Sequence, residues 1–441
     1  MSLHSQTTAQ LIRQVRLLDP INQVDQIGDC YLENGKIRAI GESISSDAVP
    51  YPSQSTDKQS TAAVELIDGT GQWLLSGFVD LAAYLREPGL EYKATLASEV
   101  RAAAHAGIST LCYSPEPAVQ VNSRTQVNMV QEINQQQIKP QYPMNIAMIG
   151  NLTRQLDGET LSNMGSLKQA GCVGVGNGLQ PIKNLHVLRM ALQYAASHDL
   201  TVFLHPLDHH LMNQGCVHES PISSRLGLPS IPVSAETAAL AAMLMLVAET
   251  GARVHICRVS SAASVTLLYQ AKQSHLPVTA DVAMHQLWLT EQDIADFNPL
   301  CHVMPPLRSA HDRDQLIQAV ADGVIDAICS DHQPHNLDAK LAPFQETEAG
   351  ISAFDSFLPL LLRLIEDKQL TMSQALNAVT HNPATIIKQA CGTLTVGATT
   401  DLILLDPKAY WELSETTMYS AGKNSPFLGW ALNGKVKRRF V

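Results

Sequence analysis

The chain has 441 residues, and this length suits an α/β barrel of about 250 residues with an appendage. Its net charge of −11 disfavours nucleic acids and other polyanions as partners, because binding them draws on clustered Lys and Arg. The N-terminal residues show no secretory pattern, and the apolar run Ala238–Val247 is shorter than a membrane span of about 20 residues. Together these features predict a soluble, cytoplasmic protein without a membrane partner.

The first part of the chain predicts short strands joined by turns. Leu11–Leu18 and Asp29–Gly41 are β-prone, and the step Asn34-Gly35 is a strong hairpin signal because both residues tolerate positive φ. The polar stretch Ser45–Thr61, which contains two prolines, predicts a surface loop. A small β domain is therefore expected before the main body.

From Trp73 onward, short apolar strands alternate with longer helical stretches, a pattern typical of βα units around a parallel sheet. Eight strands are predicted, and eight parallel strands close a barrel. We therefore expect an α/β fold, a (β/α)8 barrel of the TIM type. The predicted strands are Leu74–Asp80, Thr110–Tyr113, Asn145–Ile149, Cys172–Val175, Thr201–Leu204, Val254–Val259, Val278–Val282 and Ala327–Ser330. Helices are predicted at Ala94–Ala106, Leu185–His198, Glu236–Thr250 and Asp312–Asp322.

Two further patterns complete the outline of the chain. The Ala- and Leu-rich stretch Ala235–Val247 is interpreted as a helix packed on the sheet. After residue 385 the sequence returns to β character, with a strand predicted at Asp401–Asp406. The eight cysteines form no C-x-x-C pair, so we interpret them as reduced residues that pack as small apolar side chains.

Polar residues recur where the predicted barrel strands end. The loops that leave the carboxyl ends of barrel strands converge on one pocket, so these residues are candidates for function. In chain order they are Asp80, Arg86, Glu116, Asn177, His205, His255, His285, Asp331, His332 and His335.

Four motifs resemble those of the dihydroorotase family, which belongs to the amidohydrolase superfamily. Gly77–Gly89 resembles the pattern G-F-V-D-x-H-x-H-x-R-x-P-G, and His255–Ser260 resembles H-x-x-H-V-S. Pro305–Arg308 matches P-P-L-R, and Asp331–His335 matches D-H-x-P-H. The resemblance covers nearly the whole chain. It implies a small β-sandwich built from both chain ends, residues 1–72 and 386–441. The barrel is expected to comprise residues 73–385.

The resemblance also implies that metal ligands are missing. Ala82 and Tyr84 stand where the family has two zinc-binding histidines, and Asn177 stands where it has an acidic or carboxylated-lysine ligand. His205, His255 and Asp331 are interpreted as remaining metal-type residues, with Asp331 as the family's general base. A methyl group and a neutral phenol do not replace imidazole as a ligand, so no metal or other cofactor is expected.

The substrate contacts are altered as well. By resemblance, Arg86 and His335 are remnants of the site for the substrate carboxylate. Glu116 stands in place of the family's asparagine, and an anion there repels a carboxylate by about 4 kcal/mol at 4 Å and an effective dielectric near 20. Met304 replaces a second asparagine, and Leu207 replaces an acidic residue after His205.

Three functions remain open at this point. The first is a catalytically inactive homologue that assembles with the aspartate transcarbamoylase catalytic chain in pyrimidine biosynthesis, as a hetero-oligomer or homo-oligomer. The second is an active cyclic amidohydrolase with one zinc ion at His205, His255 and Asp331. The third is a small-molecule binding module that holds an anion with Arg86 and His335, which Glu116 disfavours.

Purely structural roles are also open for several of these residues. His205 and His255 are also compatible with hydrogen-bonded core histidines, and the role of His285 is open. Without a metal, Asp331 needs a partner because an unpaired buried charge is costly, and Arg86 is the expected one.

Overall fold

Two sheets organise the chain in the computed structural model, which describes residues 9–44, 64–390 and 392–441. The predicted loop Ser45–Thr61 lies outside these ranges, as does Cys391. The other seven cysteines are buried and form no disulfide.

The strands are β1 (Ala9–Asp19), β2 (Val24–Glu33), β3 (Lys36–Gly41), β4 (Glu65–Asp68), β5 (Trp73–Ser76), β6 (Phe78–Ala83), β7 (Ile108–Tyr113), β8 (Asn145–Asn151), β9 (Gly174–Gly176), β10 (Thr201–Leu204), β11 (Val217–His218), β12 (Ser230–Ile231), β13 (Val254–Ile256), β14 (Val278–Ala283), β15 (Ala327–Cys329), β16 (Leu402–Glu412) and β17 (Ala431–Phe440). The α-helices are α1 (Leu96–His105), α2 (Arg124–Ile133), α3 (Met164–Gln169), α4 (Leu185–Ser197), α5 (His209–Met212), α6 (Pro221–Leu226), α7 (Ser234–Thr250), α8 (Ala262–Gln273), α9 (Ala310–Ala321), α10 (Phe354–Glu366), α11 (Met372–Val379) and α12 (His381–Ile386).

A mixed sheet joins the two ends of the chain. Its order is β17-β16-β5-β1-β2-β3, and β4 also pairs with β1. The predicted hairpin is confirmed: β2 and β3 pair antiparallel, and Asn34 and Gly35 turn the chain with φ of 51° and 67°. Apolar side chains such as Leu17, Leu74 and Leu402 form the core of this sheet.

The barrel is an eight-stranded parallel sheet with the order β15-β14-β13-β10-β9-β8-β7-β6. Its edges meet because Tyr84 N donates to His332 O at 2.9 Å and His332 N donates to Ala82 O at 3.2 Å. The predicted (β/α)8 fold is thus confirmed.

One predicted strand proved to be two. Leu74–Asp80 divides into β5, which pairs with β1 and β16 in the mixed sheet, and β6, which opens the barrel. Gly77 lies between them, where the chain passes so close to Ser109 that a Cβ atom would clash with its side chain. The predicted domain limits at residues 72 and 385 stay predictions.

The barrel helices bury one side against the strands. Helix α7 packs between α4 and α8 and buries Leu240, Met243, Leu244 and Val247, as expected for Ala235–Val247. The other predicted helices correspond to α1, α4 and α9. None of the helices in the described ranges combines the length and apolarity needed to cross a membrane.

Candidate functional site

An arginine occupies the carboxyl end of the barrel beside Asp331. Arg258 follows β13, and its Nη1 donates to Tyr84 Oη at 2.8 Å and to Asp331 Oδ1 at 3.1 Å. The side chains of Arg258 and Asp331 are only 4% and 1% exposed. Ala82, at the end of β6, contributes its methyl group to the core cluster inside the barrel. A buried ion pair and a phenol therefore lie where the resemblance implies metal ligands.

The local protonation equilibria suit this ion pair. Burial raises the pKa of Asp331 to about 6, against the opposing effect of Arg258. Burial raises the pKa of Tyr84 to about 12, so the phenol is neutral near pH 7. The guanidinium therefore faces a carboxylate and a neutral hydroxyl through Nη1, while its buried Nε has no hydrogen-bond partner in the described part of the chain.

Sequence reasoning missed Arg258, although the signal was present. In the quoted pattern H-x-x-H-V-S, the second histidine corresponds to Arg258 and the first to His255. Arg258 has a left-handed φ of 56°, outside strand β13, and this backbone turn brings its side chain to Asp331.

His255 lies deeper, inside the barrel. Its Nδ1 is 2.9 Å from Thr279 Oγ1 and its Nε2 is 2.8 Å from Asp281 Oδ2, and the residue is fully buried. Asp281 also accepts a hydrogen bond from the backbone N of Arg258 at 2.5 Å. The structure therefore does not bring His255 together with Asp331 as a ligand pair. Asp281 was also missed, although an acidic residue within the apolar strand Val278–Val282 was a visible signal.

Two histidines retain unpartnered nitrogen atoms near Arg258. His205 Nδ1 lies 3.2 Å from Cys257 O, while its buried Nε2 has no hydrogen-bond partner in the described part of the chain. Both ring nitrogens of His285 are likewise buried and unpartnered. Burial, reinforced by Arg258, lowers the pKa of His205 to about 4 and that of His285 to about 3. Both rings are therefore neutral at physiological pH.

Arg86 and Glu116 form an ion pair with each other. Arg86 Nε also donates to Pro334 O at 3.1 Å, and its Nη2 lies 3.3 Å from His335 Nε2. Burial raises the pKa of Glu116 above its usual value, although the guanidinium opposes the shift. Burial and the Arg86 charge lower the pKa of His335 to about 2. The expected pairing of Arg86 with Asp331 is therefore not formed, since each has a different partner.

The remaining candidates serve local packing. Asn177 Oδ1 accepts a hydrogen bond from Thr153 Oγ1 at 2.7 Å, and its Nδ2 donates to Gln180 O at 3.1 Å. Leu207 is buried in a small apolar cluster, and Met304 packs against it. These three side chains therefore stabilise the loops that surround the strand ends.

The residues at the strand ends do not fit the family's zinc centre. Ala82, Tyr84 and Asn177 do not supply the two imidazoles and the anionic ligand of that centre. The Asp331 carboxylate is paired with the Arg258 cation. In the described ranges, one group has ligand atoms within 4.8 Å of one another, namely His255, Cys257 and Asp281. There, the imidazole and carboxylate are hydrogen-bonded to each other, and burial raises the pKa of the Cys257 thiol well above its usual value. This geometry suits a buried hydrogen-bonded pair better than an ion.

Solved structures with the same fold are amidohydrolases. The L-hydantoinase from Arthrobacter aurescens matches with a TM-score of 0.81 at 21% identity, covering 97% of this chain and 94% of that one. A D-hydantoinase structure matches with a TM-score of 0.77 at 19% identity, covering 97% and 92% of the two chains. At this identity the likeness establishes the fold.

Sequence comparisons establish the family. A family model described as dihydro-orotase-like matches residues 71–264. A protein named dihydroorotase-like protein from Pseudomonas aeruginosa is 41% identical over 430 residues, covering 98% of this chain and 97% of the relative. A protein named dihydroorotase from Syntrophus aciditrophicus is 36% identical over 426 residues, covering 97% and 96%. The chain belongs to the dihydroorotase-like family.

Proposed function

We propose that this chain is a dihydroorotase-like subunit without dihydroorotase activity, which assembles with aspartate transcarbamoylase in the cytoplasm. One observation carries the loss of activity: the Arg258 guanidinium is bonded to Asp331 and Tyr84 at the strand ends where the family holds its metal. The partner rests on the resemblance that the sequence motifs carry.

The chemical argument concerns activation of water. Hydrolysis of a cyclic amide at neutral pH needs a metal that lowers the pKa of water from about 15.7 to about 7 and polarises the carbonyl group. The guanidinium of Arg258 donates hydrogen bonds but has no lone pair with which to bind a metal. Asp331, the general base implied by the resemblance, accepts hydrogen bonds from Arg258 and from Gln333 Nε2 at 3.1 Å. Ala82 and Tyr84 thus stand in place of the implied metal-binding histidines, and the implied general base is paired with a cation.

A structural role is supported by how firmly the barrel mouth is tied together. His332 Nε2 lies 2.7 Å from Glu99 Oε2, which links β15 to α1. Asp80 on β6 accepts hydrogen bonds from Ser330 N at 2.8 Å and Ser330 Oγ at 2.6 Å. Buried networks whose members are satisfied in this way rigidify a fold. A stable barrel without chemistry is what an assembly subunit requires.

An active enzyme with a reduced metal site is the alternative function. The hydantoinase fold of the solved structures supports it, since those proteins are hydrolases of cyclic amides. It would need one zinc ion at His205, His255 and Asp331. Both ring nitrogens of His255 are engaged by Thr279 and Asp281, and this observation favours the non-catalytic proposal.

Three measurements on the purified chain test the proposal. We expect substoichiometric zinc by elemental analysis, no conversion between dihydroorotate and carbamoyl aspartate, and co-purification with aspartate transcarbamoylase from native extract. The 36% identical protein from Syntrophus aciditrophicus, named dihydroorotase, is a matched control for the activity assay. Stoichiometric zinc with turnover would overturn the loss of activity. Absence of the transcarbamoylase from the native complex would overturn the partner.

A further inference from the structure

A groove lies between the mixed sheet and the barrel helices α10 and α11. Its volume is about 490 Å³, which falls within the roughly 300–1,000 Å³ of small-molecule sites. Such sites occur preferentially where two structural units meet. The groove shares no residue with the candidate site at the strand ends, so its chemistry has to be explained separately.

The sheet side of the groove is formed by one cross-strand row. Arg16 on β1 pairs with Ile27 on β2 and with Trp73 on β5, so the three side chains lie on one face of the sheet. Ile27 is 64% exposed, and Trp73 is half-buried. The Arg16 guanidinium lies 5.3 Å from the centre of the Trp73 ring and donates to both carboxylate oxygens of Asp25, at 2.7 and 2.8 Å. This wall is therefore largely apolar, and its guanidinium is already paired.

The opposite wall is one side of α10. Leu362, Ile365 and Glu366 are spaced by three and four residues, so they share a face of the helix. The side chains of Leu362 and Ile365 pack on the barrel core, whereas Glu366 is exposed at the last position of the helix. Both walls thus offer apolar surface, and a ligand that fills the groove needs an apolar body.

One charge of each sign lines the groove without an ion-pair partner in the described part of the chain. Lys408 belongs to the sheet wall, in the irregular stretch of β16, and Glu366 belongs to the helix wall. Together with the pair of Arg16 and Asp25, these charges sum to zero. A ligand of either net charge therefore meets no overall attraction. The complementary ligand carries both a carboxylate and an ammonium group.

We propose that the groove binds a short apolar peptide whose two termini are free. The apolar side chains of the peptide pack between Trp73 and the α10 wall, its carboxylate faces Lys408, and its ammonium group faces Glu366. The two ends of an extended dipeptide are about 7 Å apart, so each terminal charge can approach its own wall. A single amino acid holds both charges on one carbon atom. This inference goes beyond the proposed function and does not depend on it.

Calorimetric titration of the full-length chain with leucyl-phenylalanine tests the proposal. We expect a Kd of about 10–100 µM for a ligand of this size. Glycyl-glycine lacks the apolar side chains and should bind at least about 100-fold more weakly. The N-acetyl derivative and the C-terminal amide of leucyl-phenylalanine each lack one charge. Each should bind about 5-fold more weakly than the parent peptide, because the charged groups of the groove are partly exposed to water.

Variants of the two unpaired residues assign each end of the peptide. In Lys408→Gln, the parent peptide and its amide should bind about equally, because the carboxylate has lost its partner. In Glu366→Gln, the parent peptide and its N-acetyl derivative should bind about equally for the same reason. Thermal unfolding should show that both variants are folded.

A further variant tests the apolar wall. Ile27→Asp should weaken binding about 10-fold or more, because it places a charge against the apolar body of the peptide. Leu66→Asp is the matched control, since Leu66 lies on β4 of the same sheet, is 57% exposed and does not line the groove. That variant should bind the peptide like the wild type.

Three results would overturn the proposal. The first is a wild type that binds no leucyl-phenylalanine at about 5 mM, and the second is an affinity that Ile27→Asp leaves unchanged. The third is a parent peptide that binds no more tightly than its N-acetyl derivative and its amide, because Lys408 and Glu366 then select no charge. None of these results affects the proposed function, which the measurements of zinc, turnover and co-purification test on their own.

Discussion

Arg258 is the residue on which the candidate site depends. Its guanidinium is buried and donates a hydrogen bond to Asp331, which also accepts one from Gln333 Nε2. We expect Arg258→Met to lower the free energy of unfolding by about 3–5 kcal/mol, because it leaves a buried carboxylate without its cation. Arginine and methionine suit a left-handed backbone about equally, so the backbone strain at position 258 is unchanged. Urea unfolding followed by fluorescence and circular dichroism measures the loss.

The double variant Arg258→Met with Asp331→Asn is the control for this prediction. It removes both charges, and Asn tolerates the positive φ of 48° at position 331. Most of the lost stability should return, because no buried charge then lacks a partner. If Arg258→Met alone is as stable as the wild type, the ion pair of Arg258 and Asp331 contributes nothing to the free energy of unfolding.

The replaced ligands allow a second prediction at this scale. Restoring the histidine pair with Ala82→His and Tyr84→His should produce no dihydroorotase activity, because Arg258 and Asn177 still stand at the strand ends. The assay follows release of dihydroorotate or carbamoyl aspartate with zinc added. A large recovered rate would show that Asn177 and Arg258 do not by themselves prevent the reaction.

At the residue scale the sequence predicted positions better than partners. Arg86, Tyr84 and Asp331 lie at strand ends as expected, since an apolar run places the residue that follows it. Their partners depend on side-chain direction, and the left-handed φ of Arg258 is not encoded by a turn residue such as glycine. For this reason the pairs of Arg86 with Glu116 and Arg258 with Asp331 could not be predicted.

At the scale of elements, the closure of the barrel between β6 and β15 depends on Asp80. Burial raises the pKa of Asp80 to about 7, against the hydrogen bonds from Ser330. The pKa in the unfolded chain is about 3.9, so the folded state binds the proton more tightly. The contribution of Asp80 to stability is therefore fully present below about pH 4 and is lost as the pH rises toward 7.

Asp80→Asn should remove this titration. The uncharged amide can accept from Ser330 N and donate to Ser330 Oγ, which itself lies 3.2 Å from Ala82 O. Relative to the wild type, we expect the variant to gain stability between pH 4 and pH 7, by up to about 4 kcal/mol at about 1.4 kcal/mol per pKa unit. Urea unfolding across this pH range measures the difference. The exposed Asp338→Asn is the control, and parallel profiles for Asp80→Asn and the wild type would contradict the prediction.

Strands were predictable where an apolar run ends at a turn signal. The hairpin at Asn34 and Gly35 is of this kind, because both residues adopt the positive φ that the turn requires. The run across Gly77 has no such signal, and β5 and β6 are both apolar, so one strand was predicted in place of two. Close passage against Ser109, rather than turn geometry, requires the glycine there.

At the scale of the whole molecule, the pairing of the chain ends came from the resemblance and is confirmed by the mixed sheet. Periodicity alone gave the barrel, because eight βα units have one common closed arrangement. The same periodicity does not say which side of a barrel helix such as α7 is buried, because its apolar residues lie on all sides of the helix.

The last prediction concerns the dependence of the whole fold on metal. If the strand ends hold no zinc, removing metal with a chelator should leave the thermal unfolding midpoint unchanged and the elemental analysis low. A metal that binds only the folded state would add about 2.7 kcal/mol at 100 times its Kd, and the chelator would remove that stabilisation. A clear fall in the midpoint would direct attention to His255, Cys257 and Asp281, whose ligand atoms lie within 4.8 Å of one another. In that case, Cys257→Ser should abolish the effect of the chelator. A fall that persists in this variant would mean that other residues bind the metal. It would contradict the prediction that the ion pair of Arg258 and Asp331 leaves the strand ends without zinc.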